Sequence, residues 1–298
     1  MFLDQIYRQM RENGTAFTAC ADELLDGLRR TRASMSADEW KAFAVRVSMN
    51  HPLRPLLLED PFTRRAAEKP RGYAGDAVMI DYIYGHYEIN GTSKRGRAVL
   101  DYLLSRPLSQ AVRNRRDALT RAIDDMAAER PDAEVLALAC GHLREAMDCK
   151  AIVQRRLGRF VALDHDPNSL RIVEEQFRAC GVVTVCRSVF DMNFADLGRF
   201  DLIYSAGLYD YIWQGAAKQL TSYVFAMLKP GGRLLIANVT PEEPDAGYME
   251  AIMDWWLIYR TDEQLAALAQ QIPRSEIGAQ SVFRDPTGCV AFLELVRA

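Results

Sequence analysis

Apolar residues recur every three or four positions through Phe2 to Met10, Phe17 to Leu28 and Trp40 to Val47, the period of helices that bury one face. Ser36, with Glu39 three residues later, forms a capping box ahead of WKAFAVRV. His51-Pro52 and Arg54-Pro55 are expected to close that helix, because proline lacks the backbone donor and pushes the preceding residue out of the helical region. Further helices are predicted from about Lys94 to Leu104 and from about Leu108 to Ala128. Ahead of them, the glycine- and aromatic-rich stretch PRGYAGDAVMIDYIYGHYEING, residues 70–91, keeps neither period and reads as a loop with a purpose.

After Pro131 the pattern changes to short aliphatic or β-branched runs that alternate with helical stretches, the mark of βαβ units and a parallel sheet. Strands are predicted at Glu134–Ala139, Phe160–Asp164, Val182–Arg187, Phe200–Ser205, Arg233–Asn238, Ser281–Arg284 and Cys289–Leu295. Asp285-Pro286-Thr287-Gly288 is turn chemistry short enough to make the last two an antiparallel hairpin. The expected organisation is an all-helical domain over residues 1–130 and an α/β domain with a seven-stranded, mostly parallel sheet over 131–298.

Composition narrows the function. The chain has 298 residues, 49% of them hydrophobic, enough for two cores. A net charge of −3 provides no broad cationic field, so nucleic acid is not an expected partner. No apolar run reaches the roughly 18 residues of a membrane span, and MFLDQIYRQMREN sets polar and acidic residues where a signal peptide needs an apolar stretch. A cytoplasmic protein without membrane insertion is expected. The six cysteines show no C-x-x-C pairing and read as reduced core residues, and the four histidines are too dispersed for a metal site.

Four motifs at strand ends carry candidate chemistry. In VLALACGHLREAM a strand runs into Cys140-Gly141 and an expected helix, whose free N–H groups and dipole would favour a bound ligand, although Ala139 and Leu143 stand where glycines are common. FVALDHDPNSL places Asp164 at the end of the second strand, where a carboxylate can accept from both hydroxyls of a ribose, while Asp166 caps the helix that begins at Pro167. VCRSVFDMNF sets Phe190 and Asp191 after the third strand. FDLIYSAGLYDYI ends the fourth, and a helix later LKPGGRLLIANV turns through Lys-Pro-Gly-Gly into the fifth.

Together these motifs resemble the class I S-adenosylmethionine-dependent methyltransferases over roughly the last 165 residues, which implies a Rossmann-like fold. The resemblance implies S-adenosylmethionine as cofactor. Ala139 and Gly141 would approach its methionine end, Asp164 with His165 beside it would hold the ribose, and Phe190 and Asp191 would bracket adenine. Ser205, Ala206 and Gly207 would lie beside the methionine part. PRGYAGD and SAGLYDY are also similar to bacterial methyltransferases that make 3-hydroxy fatty acid methyl ester signals.

The acceptor is then a small molecule, a carboxylate or hydroxyl of a secondary metabolite or fatty-acid-derived signal. Tyr209, Tyr211 and Trp255 are candidate substrate contacts, the last within the aromatic cluster Tyr248, Trp255, Trp256 and Tyr259, which equally suits a core or a homodimer interface. Arg71 is a bidentate partner for a carboxylate of cofactor or substrate, or else a surface ion pair. His86, Asp210 and Tyr73 are the catalytic candidates, with Tyr73 also facing the cofactor; a carboxylate acceptor needs no base, whereas a hydroxyl does. The runs Lys94–Arg97 and Arg113–Arg116 read as solvated helix faces. Three alternatives stay open: N-methylation, a nicotinamide dehydrogenase, which should show a fuller Gly-x-Gly-x-x-Gly, and a non-catalytic binding protein, suggested by the missing glycines.

Overall fold

The computed structural model describes residues 2–12 and 17–298; the expectations touching residues 1 and 13–16 of the predicted helical region lie outside it. Along the chain run α1 (Phe2–Glu12), α2 (Phe17–Ala33), α3 (Ala37–Asn50), α4 (Leu53–Leu57), α5 (Pro61–Glu68), α6 (Ala77–Tyr84), α7 (Lys94–Leu104) and α8 (Pro107–Glu129). They are followed by β1 (Glu134–Leu138), α9 (Lys150–Val153), β2 (Arg159–Asp164), α10 (Pro167–Phe177), β3 (Val182–Cys186), β4 (Phe200–Ser205), α11 (Gln214–Ala226) and β5 (Leu228–Val239). The chain ends with α12 (Ala246–Ala251), α13 (Asp262–Ala266), β6 (Ile277–Arg284) and β7 (Val290–Arg297).

Two compact units result. The first is Met1–Gln110 with Glu243–Trp256, and the second is Ala111–Glu242 with Leu257–Ala298. The division expected near residue 130 therefore differs: it falls at 110, inside α8, and a segment after β5 joins the helices. The polar chemistry of that segment accounts for the exchange. Glu250, only 2% exposed, accepts from Trp40 Nε1 at 2.6 Å and from both prongs of Arg32 at 2.8 and 3.0 Å. Asp245 accepts from Arg106 at 2.9 and 3.0 Å, and the hydroxyls of Tyr248 and Thr63 lie 3.1 Å apart.

Within the first unit the Ser36–Glu39 capping box opens α3 as its sequence predicts, and α3 ends at His51. Two expectations need correction. Pro55 does not stop a helix but sits in the first turn of α4, where its missing N–H is not needed. The 70–91 stretch is not loop throughout, because AVMIDYIY forms α6 between the N-cap Asp76 and the left-handed Gly85. Asp76 is buried, gives one oxygen to Met79 N–H at 2.7 Å, and is clasped by Arg65 at 2.7 and 2.9 Å. PRGYAGD remains the irregular lead-in.

The second unit is built on one sheet of order β3-β2-β1-β4-β5-β7-β6. Neighbours from β3 to β5 are parallel, while β7 runs antiparallel to both β5 and β6. The central strands β1 and β4 are almost wholly buried, as expected of strands covered on both faces. The Lys-Pro-Gly-Gly turn lies at the start of β5, where the register with β4 shifts, and a Cβ on Gly232 would press on the carbonyls of Lys229 and Phe200 at 2.9 and 3.0 Å. Asp201 locks this amino edge, accepting from Lys229 Nζ, Arg130 Nη1 and Glu134 N–H at 2.8, 2.9 and 2.8 Å. The chain winds β1, β2, β3 to one side and then returns to β4 on the other. The carboxyl ends of β1 and β4 thus flank the crevice where open α/β sheets bind ligands.

Glu250→Ala is expected to cost about 3 kcal/mol of unfolding free energy in urea titrations, because it strips a buried carboxylate from Trp40 and Arg32. Glu242→Ala, which removes an exposed partner of Arg284, should cost less than about 1 kcal/mol. Equal losses would mean that Glu250 does not anchor the segment.

Candidate active site

The loop after β1 is shaped by three left-handed residues, Ala139 at φ 51°, Gly141 at 55° and Leu143 at 51°. Only one is a glycine, yet the backbone takes the glycine-type path at the other two positions, where a side chain costs about 1–2 kcal/mol. No full helix follows, contrary to expectation. A 3₁₀ turn, Arg144–Ala146, leads to the single turn of α9. Leu143 interrupts right-handed winding, and Glu145 is drawn away: its side chain accepts from Tyr204 Oη at 2.7 Å and its carbonyl from Thr120 Oγ1 at 2.9 Å.

Asp164 organises the crevice. One oxygen accepts the Gly141 N–H at 2.8 Å and the other the Asp166 N–H at 2.9 Å, so the carboxylate ties the β1 loop to the end of β2. His165 Nδ1 lies 3.3 Å away, and Asp166 caps α10 through the N–H groups of Asn168 and Ser169. Cys140, between the left-handed residues, has its thiol raised well above the ordinary value by burial and by the carboxylates of Asp164 and Glu145, so it stays protonated. Beyond β3, Phe190 leaves 60% of its surface in solvent and Asp191 is exposed beside it. Full burial of such a ring is worth about 1.5–3 kcal/mol, which an exposed position forgoes unless something covers it.

At the end of β4, Ser205 is buried with its hydroxyl donating to Leu138 O at 3.4 Å, and Ala206 and Gly207 are half-buried. The turn Tyr209–Tyr211 follows. Tyr209, expected on the acceptor side, instead packs its ring in the core, its hydroxyl 3.1 Å from Thr221 Oγ1. Alternate positions in this tight turn cannot face the same way, and Tyr211, 37% exposed, faces outward. Asp210 is buried; Oδ1 accepts the Val239 N–H at 2.7 Å and Oδ2 accepts nothing among the described residues. Burial pushes its carboxyl up to about 6, against the pull of that N–H and of the Arg115 and Arg260 charges.

Three residues escape the sequence reading. Arg260, buried, donates to the carbonyls of Tyr209 and Ile212 and to the side chains of Asn238 and Gln214, which fixes the turn. Trp213 is 66% exposed and lies across Gly215, where any Cβ would collide with its ring. Arg115 corrects the expected solvated face: it is 5% exposed, with Nη1 donating to Ala206 O at 2.9 Å. Its signal was present in the sequence. Ala111, Val112, Leu119, Ile123 and Met126 are the buried stripe of α8, and Arg115 occupies a position of that stripe.

The predicted site residues thus separate by unit. Ala139, Gly141, Asp164, His165, Phe190, Asp191, Ser205, Ala206, Gly207, Asp210 and Tyr211 lie at or just beyond the carboxyl ends of the first four strands of the second unit. Arg71, Tyr73, His86 and Trp255 belong to the first unit: Arg71 and Tyr73 are half-buried in the turns before α6, His86 is exposed just after it, and Trp255 is buried.

Ala139→Gly should raise stability by up to about 1 kcal/mol, the relief of left-handed strain less the added freedom of the unfolded chain, as read from denaturant midpoints. A loss would mean that the alanine methyl packs better than its strain costs. Asp210→Asn keeps the acceptor for Val239 but has no proton to lose. The folded protein holds the Asp210 proton to about pH 6, whereas an unfolded aspartate releases it near 4, so wild-type stability falls as pH rises through that window. The stability of Asp210→Asn relative to wild type should therefore climb from about pH 4 to about pH 6, and a flat difference would contradict the assignment.

Residues 135–232 match the family model of a methyltransferase domain. No curated protein sequence matches the chain. Among solved structures, a possible exported protein from Bordetella parapertussis superimposes with a TM-score of 0.62 at 16% identity, covering 89% of this chain and 98% of that one. Magnesium protoporphyrin IX methyltransferase (ChlM) from Synechocystis PCC 6803, with bound SAH, gives 0.53 at 11% identity over 78% of this chain and all of that one. At such identities the likeness is one of fold. No described helix is long and apolar enough to cross a membrane. Residues 135–232 thus carry a methyltransferase-domain match over about a third of the chain, and the strand order of the second unit agrees with that fold, which supports S-adenosylmethionine as the cofactor.

Proposed function

We propose that the enzyme methylates oxygen, a carboxylate or hydroxyl, on a small acceptor with an apolar part, such as a secondary metabolite or fatty-acid-derived signal. The observation that carries this reading is the meeting, at one sheet edge, of a preset carboxylate, an exposed aromatic ring and a buried acid. The oxygens of Asp164 are each engaged once by backbone and keep further acceptor capacity for ribose hydroxyls, with His165 alongside. Phe190 offers its face to adenine and Asp191 its carboxylate to the exocyclic amine. The left-handed path through Ala139 and Gly141 opens the backbone to the methionine end, beside Ser205, Ala206 and Gly207. That path also weighs against the non-catalytic alternative, since the missing glycines have not changed the loop.

Bound S-adenosylmethionine supplies a methyl group on a sulfonium, a leaving group that needs no acid. The protein's part is to hold and orient the acceptor. Tyr211 and Trp213 supply exposed aromatic surface for its apolar part. A hydroxyl acceptor needs its proton removed, and Asp210, with a carboxyl at about 6 and Oδ2 unengaged among the described residues, is matched to that task near neutral pH. All six cysteines are free thiols, which supports a cytoplasmic setting.

Asp164→Ala should weaken S-adenosylhomocysteine binding more than tenfold in calorimetry, since the ribose loses its acceptor and Gly141 its tether. Unchanged affinity would remove the ribose role. The acceptor class is tested with methyl-labelled cofactor and a panel of 3-hydroxy fatty acids, phenols and amines: label released as methanol by mild alkali marks an ester, stable label on oxygen an ether. Transfer to amines alone would overturn the reading.

A further inference from the structure

Arg115 has no role in the scheme above, and its environment is unusual for a cation. It is 5% exposed, its Nε is buried without a hydrogen-bond partner, and among the described residues no carboxylate comes within ion-pair distance. Nη1 donates to Ala206 O at 2.9 Å, and an added Cβ on Gly207 would lie 3.4 Å from Nη1 and 3.9 Å from Nη2. The fork is therefore pressed against the two residues that leave β4 for the crevice. A guanidinium carries five donors, and burial with a donor unmet is costly unless a ligand completes the set.

We propose that Arg115 is the receptor for the α-carboxylate of the cofactor's amino-acid end. The inference rests on the cofactor reading above and deepens it. Three considerations select a carboxylate. The planar fork matches two carboxylate oxygens, the site borders the Ser205–Gly207 segment assigned to the methionine part, and a neutral group would leave the buried charge without a full counterion. The resident acids whose charge reaches Arg115 form no ion pair with it among the described residues: Glu145 accepts from Tyr204 Oη at 2.7 Å, and Asp210 accepts from Val239 N–H at 2.7 Å through Oδ1 alone.

The test compares two probes that share adenosine and a thioether but differ at the far end. S-adenosylhomocysteine carries the amino-acid carboxylate, and 5′-methylthioadenosine lacks it. In calorimetry, Arg115→Met should weaken S-adenosylhomocysteine by about 10- to 100-fold and leave methylthioadenosine within about twofold. Arg115→Lys, which retains the charge and most of the buried stem, should recover part of the loss for the first probe only; thermal melts establish that both variants fold. Equal weakening of both probes would make Arg115 a prop for the β4 loop and overturn the proposal, as would no change in either. Binding of neither probe by wild-type protein would instead defeat the cofactor reading itself.

Discussion

A parallel sheet ends at its carboxyl edge in backbone groups that the neighbouring strands no longer satisfy, and Asp164 resolves that problem here. Its two oxygens collect the N–H of Gly141 from the β1 loop and the N–H of Asp166 from its own chain, so one buried carboxylate fixes two strand exits relative to each other. The pairing of Cys140 N–H with Leu163 O continues the β1–β2 ladder into the same loop. Everything assigned to nucleoside binding is placed from this junction: the left-handed residues before and after Gly141, His165 against the carboxylate, and, one strand further out, the exposed ring of Phe190. A carboxylate that already accepts two backbone donors is preorganised, so a hydroxyl pair arriving there need not reorient it.

The β4 side of the crevice uses charge differently. Arg115, Arg260, Asp210 and Glu145 are all buried, an arrangement that is costly unless the groups are hydrogen-bonded. Arg260 meets this condition within the protein, through the carbonyls of Tyr209 and Ile212 and the side chains of Asn238 and Gln214, and so acts as a rivet for the turn. Asp210 and Arg115 meet it only in part. Incomplete satisfaction at a ligand-binding edge is where physical reasoning locates function, because completion there can be supplied by what binds.

The strand pattern was legible because parallel strands of a covered sheet are continuous apolar runs, and all seven appear within a few residues of their predicted bounds. What the sequence concealed follows from particular residues. Helix α6 was hidden because AVMIDYIY is apolar nearly all round and so shows no amphipathic period. The assignment of residues 243–256 to the helical unit depends on Glu250, Asp245 and Tyr248 finding partners some 140 to 218 positions away, information that no local window contains. Tyr209 and Tyr211 are two apart in a 3₁₀ turn, and only the turn decides which of them faces the core. Arg115 is the opposite case: its helical spacing with Val112 and Leu119 announced burial, but four polar residues in a row, Arg113 to Arg116, concealed the stripe.

The depleted glycine loop shows how a backbone path can outlast the residues that make it easy. Leu143 in the left-handed region costs about 1–2 kcal/mol. Its side chain, however, is fully buried, which returns about 1.5–3 kcal/mol. The two terms nearly cancel, so leucine there is tolerable, and replacing it by glycine would trade strain for a cavity. Ala139 has no such offset beyond a methyl group, and its strain must be held by its surroundings, chiefly the β1–β2 ladder on one side and the Asp164 link to Gly141 on the other. The loop conformation therefore belongs to the junction, not to its glycines, and counting glycines in the motif underestimates how well the chain can form the crevice.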